Sequence, residues 1–373
     1  MSTFEVKIHT LEVSPHPNAD RLDLVTPRGT LYRAISQKGR FQTGDLAVYV
    51  PEGAVVPERV LRAAGFFDEE KQKGMLAGPR GDRVKAIRLR GELSQGIFID
   101  LPTFYQLLEE SKNLDPPKNL NWASALGITK YQAPIPVEMS GEVDQVDGLK
   151  TYTNIENFKN HPDVFQPGES VIATEKLHGT CSIFSLIQNE YGFFDFHVSS
   201  KGLAGKGLGL KESETNLYWR TAREYKIEEF LRSLGKSWSY SDANELTLFG
   251  EILGVQDLMY GFDKGDLGFR AFDIRVNGRY LDSWEFNQTI HSSWGYTEVR
   301  IPVVPTLYHG EFDQDKLWAL ASGKTTISKE DPHIREGIVI RSSYERQGPG
   351  LNRVVLKMVS EDYLVRKHGT ELE

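Results

Sequence analysis

The chain has 373 residues, 39% of them hydrophobic and 26% charged, and its formal net charge is −8. The acidic balance argues against a protein that coats nucleic acid, whose basic excess usually shows in the whole chain, although a local basic groove needs only a few Lys and Arg side chains. Cys181 is the only cysteine, which excludes an intramolecular disulfide and a thiolate zinc cluster.

The start of the chain and its apolar runs predict where the protein works. Residues 1–10 lack the charged and then apolar layout of a signal peptide. No apolar run approaches the roughly 20 residues needed to span a bilayer. We therefore expect a cytoplasmic protein without membrane contact, and we expect a monomer. At roughly 100–200 residues per domain, the length predicts two domains.

The first hundred residues predict a small β-domain. Short strand-like runs separated by turns lie at 4–9, 46–50, 83–89 and 96–100. One helix is predicted at 57–64, where Pro57 suits the first helical turn. Several short strands with one helix favour an OB-like β-barrel within residues 1–130. A generic β-domain that only packs on its neighbour is the alternative.

The following segment has the composition of a connector. Pro116, Pro117, Pro134 and Pro136 interrupt residues 102–150, and acidic and glycine residues follow them. We predict a linker at 131–150 and a second domain at 151–373.

The second domain alternates strand-like and helix-like segments. We predict strands at 171–174, 181–187, 193–198, 246–249, 268–276 and 337–341, and one helix at 216–234 with apolar residues at helical spacing. The glycine-rich run 202–209 lacks the order of a phosphate-binding loop, so we predict a mobile loop there. Strands with intervening helices indicate an α+β domain.

The first chemical signal is Thr174-Glu175-Lys176-Leu177-His178-Gly179-Thr180. A lysine becomes a nucleophile when its amine is neutral near pH 7, which requires desolvation or a cationic neighbour. A strand end beside a glycine places the amine in a pocket and lets backbone approach a nucleotide closely. Alone, the Lys-x-x-Gly pattern occurs by chance in most chains of this size.

Five further motifs follow Lys176 in order, and their order makes the signal specific. They are Ser199-Ser200-Lys201-Gly202, Leu248-Phe249-Gly250-Glu251-Ile252-Leu253-Gly254, Phe269-Arg270-Ala271-Phe272-Asp273-Ile274, Arg335-Glu336-Gly337-Ile338-Val339-Ile340 and Val355-Leu356-Lys357-Met358-Val359-Ser360. With the first, they resemble motifs I, Ia, III, IIIa, IV and V of the covalent nucleotidyltransferase superfamily. That superfamily contains ATP-dependent DNA and RNA ligases and GTP-dependent RNA capping enzymes.

Within the superfamily, the Glu-Lys-Leu-His-Gly-Thr form is similar to the RNA ligases related to the phage and kinetoplastid RNA-editing ligases. A β-domain placed before the ligase domain resembles the Deinococcus-type RNA ligase and, less closely, the Naegleria type. The resemblance implies an α+β chain. Its N-terminal OB-like β-barrel is followed by an ATP-grasp-like nucleotidyltransferase (ligase) domain of antiparallel sheets with helices.

The resemblance also implies an activity and its catalytic residues. An ATP-dependent RNA ligase would seal 3′-hydroxyl and 5′-phosphate ends of RNA, or of an RNA-containing nicked duplex, through AMP bound covalently to Lys176. Lys357 would stabilise negative charge on the α-phosphate. Glu251 would contact the ribose hydroxyls, and Glu336 would bind Mg²⁺ or Mn²⁺.

Further nucleotide-binding residues follow from the same resemblance. Glu175 would lie near the adenine N6, Phe272 would stack on the adenine, and Gly179 would lie beside the nucleotide. Lys201 would contact ribose or phosphate. The plainer alternatives are a core role for Phe272, a surface role for Glu336, a solvated turn for Lys201 and a structural, hydrogen-bonded role for His178.

Two positions depart from the superfamily pattern. Val355 stands where many relatives carry a second motif V lysine, a lost cation for which Arg353 or Lys201 could compensate. Cys181 stands where phage relatives have Asn, and a thiol is a weak hydrogen-bond partner.

Three other functions stay open on the sequence alone: nick sealing in DNA or mixed strands by the same chemistry, GTP-dependent capping, and non-catalytic nucleotide or RNA binding. The presence of the nucleophile and both carboxylates argues against the last. Basic residues of the first domain predict that it grips the nucleic-acid backbone: Arg21, Arg28, Arg33, Lys38, Arg40, Arg83, Lys85, Arg88 and Arg90.

Overall fold

The computed structural model describes residues 3–111, 120–132, 139–237, 240–263, 265–292, 299–328, 330 and 332–366. Two compact units are present. One contains Met1–Ala133, Glu156–Asp163 and Val359–Glu373, and the other contains Pro134–Ile155 and Val164–Met358. Within the described residues, no helix combines the length and apolar character needed to cross a membrane.

The strands are numbered along the chain. They are β1 Lys7–Pro15, β2 Leu22–Pro27, β3 Ala34–Gln37, β4 Leu46–Val50, β5 Ala54–Val55, β6 Phe67–Asp68, β7 Lys73–Gly74, β8 Ile87–Leu89, β9 Glu92–Ser94, β10 Ile97–Asp100, β11 Thr129–Lys130, β12 Val143–Gln145, β13 Glu156–Asn157, β14 Ser170–Lys176, β15 Thr180–Gln188, β16 Phe194–Ser200, β17 Leu208–Leu210, β18 Glu245–Leu253, β19 Gly268–Val276, β20 Arg279–Tyr280, β21 Thr306–Glu311, β22 Gly337–Ser342 and β23 Val355–Val359.

The helices are numbered in the same way. They are α1 Glu58–Ala63, α2 Leu101–Ser111, α3 Ala123–Leu126, α4 Lys201–Ala204, α5 Leu217–Glu224, α6 Ile227–Gly235, α7 Ser283–Ser292, α8 Gln314–Ala321 and α9 Glu361–Val365, with a 3₁₀ turn at Phe158–Asn160.

A five-stranded antiparallel sheet, in the order β10-β4-β1-β2-β3, forms the centre of the first unit. Alternate residues of β4 face two cores, because successive side chains of a strand point to opposite faces. Ala47 and Tyr49 pack inside the barrel, and Val48 packs on the outer face with α2. The Gln95 N–H, just before β10, donates to the Arg33 carbonyl, just before β3, at 2.7 Å. The sheet is therefore nearly closed into the predicted barrel.

Helix α2 corrects the prediction of a connector that begins at residue 102. Phe104, Leu107 and Leu108 of this helix are buried, and the rings of Phe104 and Trp122 meet edge to face at 5.0 Å. Their burial on the outer face of the barrel stabilises the helix, which propensity alone does not predict. The four prolines on which the connector prediction rests lie outside the described residues.

Two later chain segments complete the first unit. Glu156 accepts hydrogen bonds from the Thr3 N–H at 2.9 Å and the Thr3 hydroxyl at 2.7 Å, and the Leu31 N–H donates to the Lys159 carbonyl at 2.9 Å. On α9, Glu361 lies 3.1 Å from the Arg88 guanidinium. The domain borders at residues 130 and 151 stay predictions.

The second unit contains a seven-stranded antiparallel sheet in the order β12-β17-β16-β15-β18-β19-β20, and the strands β23-β22-β14-β21 run side by side in another. Helices α5 and α6 bury Phe230 and Leu231 in the core that includes Phe184 and Leu248 of the larger sheet. This mixture of antiparallel sheets and helices confirms the α+β prediction.

Two local predictions in this unit are wrong. The helix predicted at 216–234 is two helices, because Lys226 adopts a left-handed backbone with φ of 50° between them. The apolar spacing continues across the break, so the pattern alone cannot show it. The loop predicted at 202–209 contains α4, which Ser200 caps by accepting a hydrogen bond from the Leu203 N–H, and strand β17.

Candidate active site

The end of β14 and the beginning of β22 bring Lys176 and Glu336 together. Lys176 pairs in register with Gly337, so Glu336, the residue before Gly337, lies beside the lysine. The Lys176 Nζ is 2.5 Å from the Glu336 Oε1, and the two side chains are 15% and 2% exposed. A strand-end amine is thus held in a largely buried position against a carboxylate.

Gly179 occupies the tight turn that follows the lysine. A Cβ atom at this position would lie 2.0 Å from the Ile252 carbonyl oxygen and 3.1 Å from the Glu251 Cγ. Any side chain would therefore push β18 away from the turn. The register of β15 on β18 pairs Cys181 with Glu251, which brings this second carboxylate next to the turn.

Glu251 has a strongly perturbed acidity. Its burial raises its pKa to about 8, and the nearby Glu336 also raises it, while Lys176 and a backbone hydrogen bond from Gly179 lower it. Two carboxylates in one low-dielectric site disfavour each other's ionisation. This pocket therefore accommodates positive charge in the form of lysine or a metal ion.

His178 is buried and hydrogen-bonded, and one of its contacts is with the site carboxylate Glu336. The side chain is 3% exposed, with Nε2 2.8 Å from the Asp257 Oδ1 and Nδ1 3.8 Å from the Glu336 Oε2. Its backbone N–H donates to the Tyr260 hydroxyl at 2.6 Å. Sequence reasoning missed Asp257 and Tyr260, which lie in no motif.

Glu175 points to the opposite face of β14 from Lys176, since side chains alternate along a strand. Its Oε2 accepts hydrogen bonds from the Thr326 N–H at 2.9 Å and the Thr326 hydroxyl at 2.6 Å, and the Arg335 Nε lies 3.9 Å away. Its Oε1 is buried without a hydrogen-bond partner among the described residues. A contact between Glu175 and the adenine stays a prediction.

Phe272 and Lys201 both lie near Tyr152. The half-buried Phe272 ring meets the Tyr152 ring edge to face at 5.0 Å, so one part of it packs in the core and another part stays accessible. The Lys201 Nζ donates to the Thr153 carbonyl at 3.1 Å, and the charge of Lys201 lowers the pKa of Glu251. Lys201 is therefore held near the second carboxylate rather than solvated in a turn.

The motif V strand contributes one buried cation. Lys357 lies in the middle of β23 and is 2% exposed, and Val355, at the position of the missing lysine, is 3% exposed. Arg353 cannot replace that lysine, because its Nη1 lies 2.9 Å from the Asp273 Oδ2 and its guanidinium also pairs with Glu345. Lys201 is therefore the remaining candidate to supply the positive charge of the missing motif V lysine.

The Glu336 carboxylate has the features of a ligand for a hard cation. Its Oε2 is buried and has no hydrogen-bond partner among the described residues, while Oε1 contacts Lys176. In the described part of the chain, no group of three or more His, Cys, Asp or Glu side chains is arranged to hold a metal ion by itself. Magnesium is commonly bound by one or two carboxylates with substrate phosphates and water, so these residues fit such an ion.

The thiol of Cys181 has no role in charge stabilisation here. Burial raises its pKa to about 12, and a thiol of that kind stays neutral and weakly polar.

Comparisons with known proteins agree with this geometry. A family model described as RNA ligase matches residues 169–359, and one described as an OB-fold domain matches residues 6–101. No curated protein sequence matches the chain.

Two solved structures are similar over the whole chain. An arginine-to-alanine variant of the Naegleria gruberi RNA ligase with ATP and Mn has a TM-score of 0.75 and 24% identity, and the match covers 99% of this chain and 100% of the other. The Naegleria gruberi RNA ligase with pyrophosphate has a TM-score of 0.73 and 25% identity, covering 97% and 98%.

An OB-fold barrel followed by a sheet-rich domain with a strand-end lysine and two buried carboxylates defines a nucleotidyltransferase of the ligase class. The RNA ligase model covers half of the chain, and the chain belongs to the RNA ligase family. The predicted family and its OB-like first domain are therefore confirmed.

Proposed function

We propose that this chain is an ATP-dependent RNA ligase that joins a 3′-hydroxyl to a 5′-phosphate through AMP carried on Lys176. The single observation that carries the proposal is the Lys176 amine, buried at a strand end and 2.5 Å from Glu336. Similar structures of the Naegleria gruberi enzyme hold ATP and Mn, AMP and Mn, or pyrophosphate. In self-adenylylation, ATP is the substrate, AMP is the group transferred to lysine and pyrophosphate is the leaving group.

In the first step, the Lys176 nitrogen attacks the α-phosphorus of ATP. A nitrogen–phosphorus bond forms, the bond to the bridging oxygen breaks, and pyrophosphate leaves. The amine proton passes to Glu336 and from there to solvent. In the second step, an RNA 5′-phosphate oxygen displaces Lys176 from the AMP. In the third step, an RNA 3′-hydroxyl attacks the 5′-phosphorus and AMP leaves.

The remaining site residues bind and stabilise the nucleotide. Lys357 offsets the charge that develops on the α-phosphate, because a preorganised cation in a buried site acts more strongly than one in water. Glu251 binds the ribose hydroxyls, Phe272 stacks on the adenine and Glu175 recognises its N6 edge. Lys201 supplies the positive charge that Val355 does not.

Glu336 would hold Mg²⁺ or Mn²⁺ through its free Oε2, and such an ion would neutralise phosphate oxygens and compete with the lysine for the carboxylate. We further propose that the substrate is RNA or an RNA-containing nicked duplex and that the enzyme works as a monomer. The barrel before the ligase domain and the His178 form of motif I support grouping it with Deinococcus-type and phage-type ligases.

The test is incubation with α-labelled ATP and magnesium or manganese, followed by a panel of single strands and nicked duplexes. The expected result is a labelled protein and joined RNA, with a nick ending in ribose sealed better than one ending in deoxyribose. Lys176→Ala should lose the label below detection while keeping its circular dichroism spectrum. A wild-type protein that takes no label, or a Lys176→Ala protein that does, would refute the proposal.

A further inference from the structure

Three side chains of one loop hold the turn that follows the nucleophile. The loop lies between β18 and β19, and its described residues, 254–263 and 265–267, are called the clamp loop below. The Gln256 Nε2 donates to the Gly179 carbonyl, Asp257 pairs with the His178 ring at 2.8 Å, and the Tyr260 hydroxyl accepts from the His178 N–H at 2.6 Å. The turn is therefore bound through a carbonyl, a side chain and an amide at once.

The backbone of the clamp loop is strained at the residue that makes the buried contact. Tyr260 has φ of 54°, a left-handed conformation that non-glycine residues seldom adopt. It is 3% exposed, and its ring meets the His333 ring edge to face at 4.4 Å. Such strain persists only where surrounding structure enforces it, and it concentrates at functional sites.

The contacts of the clamp loop lead directly to the reacting groups. Asp257 fixes the imidazole of His178, whose other nitrogen faces the Glu336 Oε2 at 3.8 Å. The opposite oxygen of Glu336 contacts the Lys176 Nζ. Tyr260 and Gln256 fix the backbone on either side of the His178 side chain, so the direction in which β14 ends is set by this loop.

We propose that Gln256, Asp257 and Tyr260 are positioning residues that align the Lys176 amine for attack on the α-phosphate. This inference rests on the proposed ligase function. All three contact the turn that follows Lys176. They act through His178 and Gly179, and an error of about 1 Å in the position of a reacting group can cost on the order of 10²-fold in rate.

The proposed role of the clamp loop predicts different effects on the three reaction steps, which can be measured separately. The first two steps form and break the bond to Lys176, whereas the third joins RNA that already carries AMP and does not use the lysine. A loss of positioning should therefore slow adenylylation and leave the sealing of pre-adenylylated RNA nearly intact. A general loss of folded structure would slow both reactions.

The experiment uses the full chain with Asp257→Asn and, separately, Tyr260→Phe. We measure the rate of lysyl-AMP formation at saturating ATP, the KM for ATP, and the sealing of a pre-adenylylated nick without ATP. The expected result is an adenylylation rate lower by roughly 10-fold to 100-fold. The KM for ATP should change little, since the lost interaction acts in the transition state, and third-step sealing should stay close to that of wild type.

Two variants serve as matched controls. Asp263→Asn neutralises an exposed carboxylate of the same loop, and Tyr225→Phe removes a hydroxyl that donates to the Leu267 carbonyl at the end of that loop. Neither touches residues 177–179, so both should adenylylate at the wild-type rate.

Wild-type adenylylation by both clamp variants would overturn the inference, and so would an equal loss of adenylylation and third-step sealing. A wild-type protein that forms no lysyl-AMP would instead refute the proposed function. The two failures are therefore distinguishable.

Discussion

At the scale of single side chains, adjacent residues of β14 lie in different environments. Lys176 meets Glu336, whereas Glu175, one position earlier, is hydrogen-bonded to Thr326 on the other face of the strand. A motif of consecutive residues therefore supplies two separate surfaces. This arrangement allows the first surface to carry the reacting amine while the second fixes the strand or recognises a base.

Replacement of Glu336 or Lys357 tests the charges around the amine. Glu336→Gln keeps the size of the side chain and removes its charge, and Lys357→Ala removes the buried cation of β23. Each should lower the rate of lysyl-AMP formation by about 10²–10³-fold, the usual effect of losing one preorganised charge contact. The measurement is a single-turnover assay with labelled ATP, and Lys316→Ala, which changes an exposed lysine of α8, is the control. Near-normal rates in both variants would contradict the assigned roles.

The motif residues of this site could be predicted from the sequence, because Lys176, Gly179, Glu251 and Glu336 occur in a fixed order with a resemblance to a known superfamily. Their pairing in space then follows from strand register. Asp257 and the other clamp residues could not be predicted. Their contacts depend on the backbone path of a loop that shows neither periodicity nor a motif.

At the scale of elements, the turn between β14 and β15 has almost no space for a side chain at Gly179. A methyl group at Gly179 would approach the Ile252 carbonyl to 2.0 Å, and a backbone atom cannot rotate away as a side chain can. Strand β18 would have to shift together with Glu251. The requirement for glycine here arises from close approach and not from an unusual φ angle.

Gly179→Ala should therefore affect stability and chemistry together. We expect a destabilisation of about 1–3 kcal/mol, the usual cost of overpacking, measured by urea unfolding. We expect an adenylylation rate lower by about 10²-fold from displaced reacting groups. Gly202→Ala is the matched control, since its Cβ would meet no atom within 4 Å. Equal behaviour of the two variants would contradict the steric argument.

Secondary structure was predicted well where burial follows one simple pattern. The strands Leu46–Val50 and Gly268–Val276 occur as predicted. The first is an apolar run, the second contains several aromatic and β-branched residues, and both are bounded by turn residues. Prediction failed where packing decides. Helix α2 forms against the barrel, and Lys226 breaks a helix whose apolar spacing is otherwise continuous.

At the scale of the whole molecule, six of the nine basic residues predicted to grip nucleic acid divide into two groups. Arg28 and Arg33 pair with acidic neighbours, and Arg40 and Arg88 do the same. Arg21 and Lys38 show no ion pair among the described residues. The Lys38 N–H donates to the Arg21 carbonyl at 3.0 Å, so the two residues are backbone neighbours. Both are exposed, which makes them the candidates for phosphate contact.

Reversal of these two charges tests RNA binding by the first unit in the full chain. Arg21→Glu combined with Lys38→Glu should lower RNA sealing roughly tenfold at moderate salt, with partial rescue at low salt, because phosphate contacts weaken as salt rises. Lysyl-AMP formation should not change. The control is Arg28→Glu combined with Arg62→Glu. Arg28 pairs with Glu12 and Arg62 pairs with Glu58, so this double reversal should have a smaller effect. Normal sealing by the first variant at all salt concentrations would argue against this surface.

A pH effect is expected from the partly buried His197 on β16. Burial lowers its pKa from the ordinary value of 6.5, and Asp195 raises it to a smaller extent. His197 therefore binds a proton near pH 6.5 in the unfolded chain, but only at lower pH in the folded chain. Stability from this group is present above that pH and is lost as pH falls through the lowered pKa of the folded state.

His197→Gln removes this dependence. Between about pH 7.5 and about pH 5.5, wild type should lose more free energy of unfolding than the variant, by at most about 1.4 kcal/mol per unit of pKa shift. Urea unfolding at both pH values measures the difference in free energy of unfolding between the two proteins. The contribution of Glu251 cancels in this comparison because both proteins contain it. His309→Gln, in exposed surroundings, is the control. Parallel pH curves for His197→Gln and wild type would refute the assignment.

The composition of the first unit from three chain segments has a consequence for synthesis on the ribosome. Residues 3–132 emerge first, but Glu156, the acceptor of Thr3, and helix α9, the partner of Arg88, emerge later. Proteins of two consecutive domains usually fold the leading domain first. Here the leading unit stays incomplete until α9 has left the exit tunnel, after the second unit has been synthesised, so the order of translation and the order of structural completion differ.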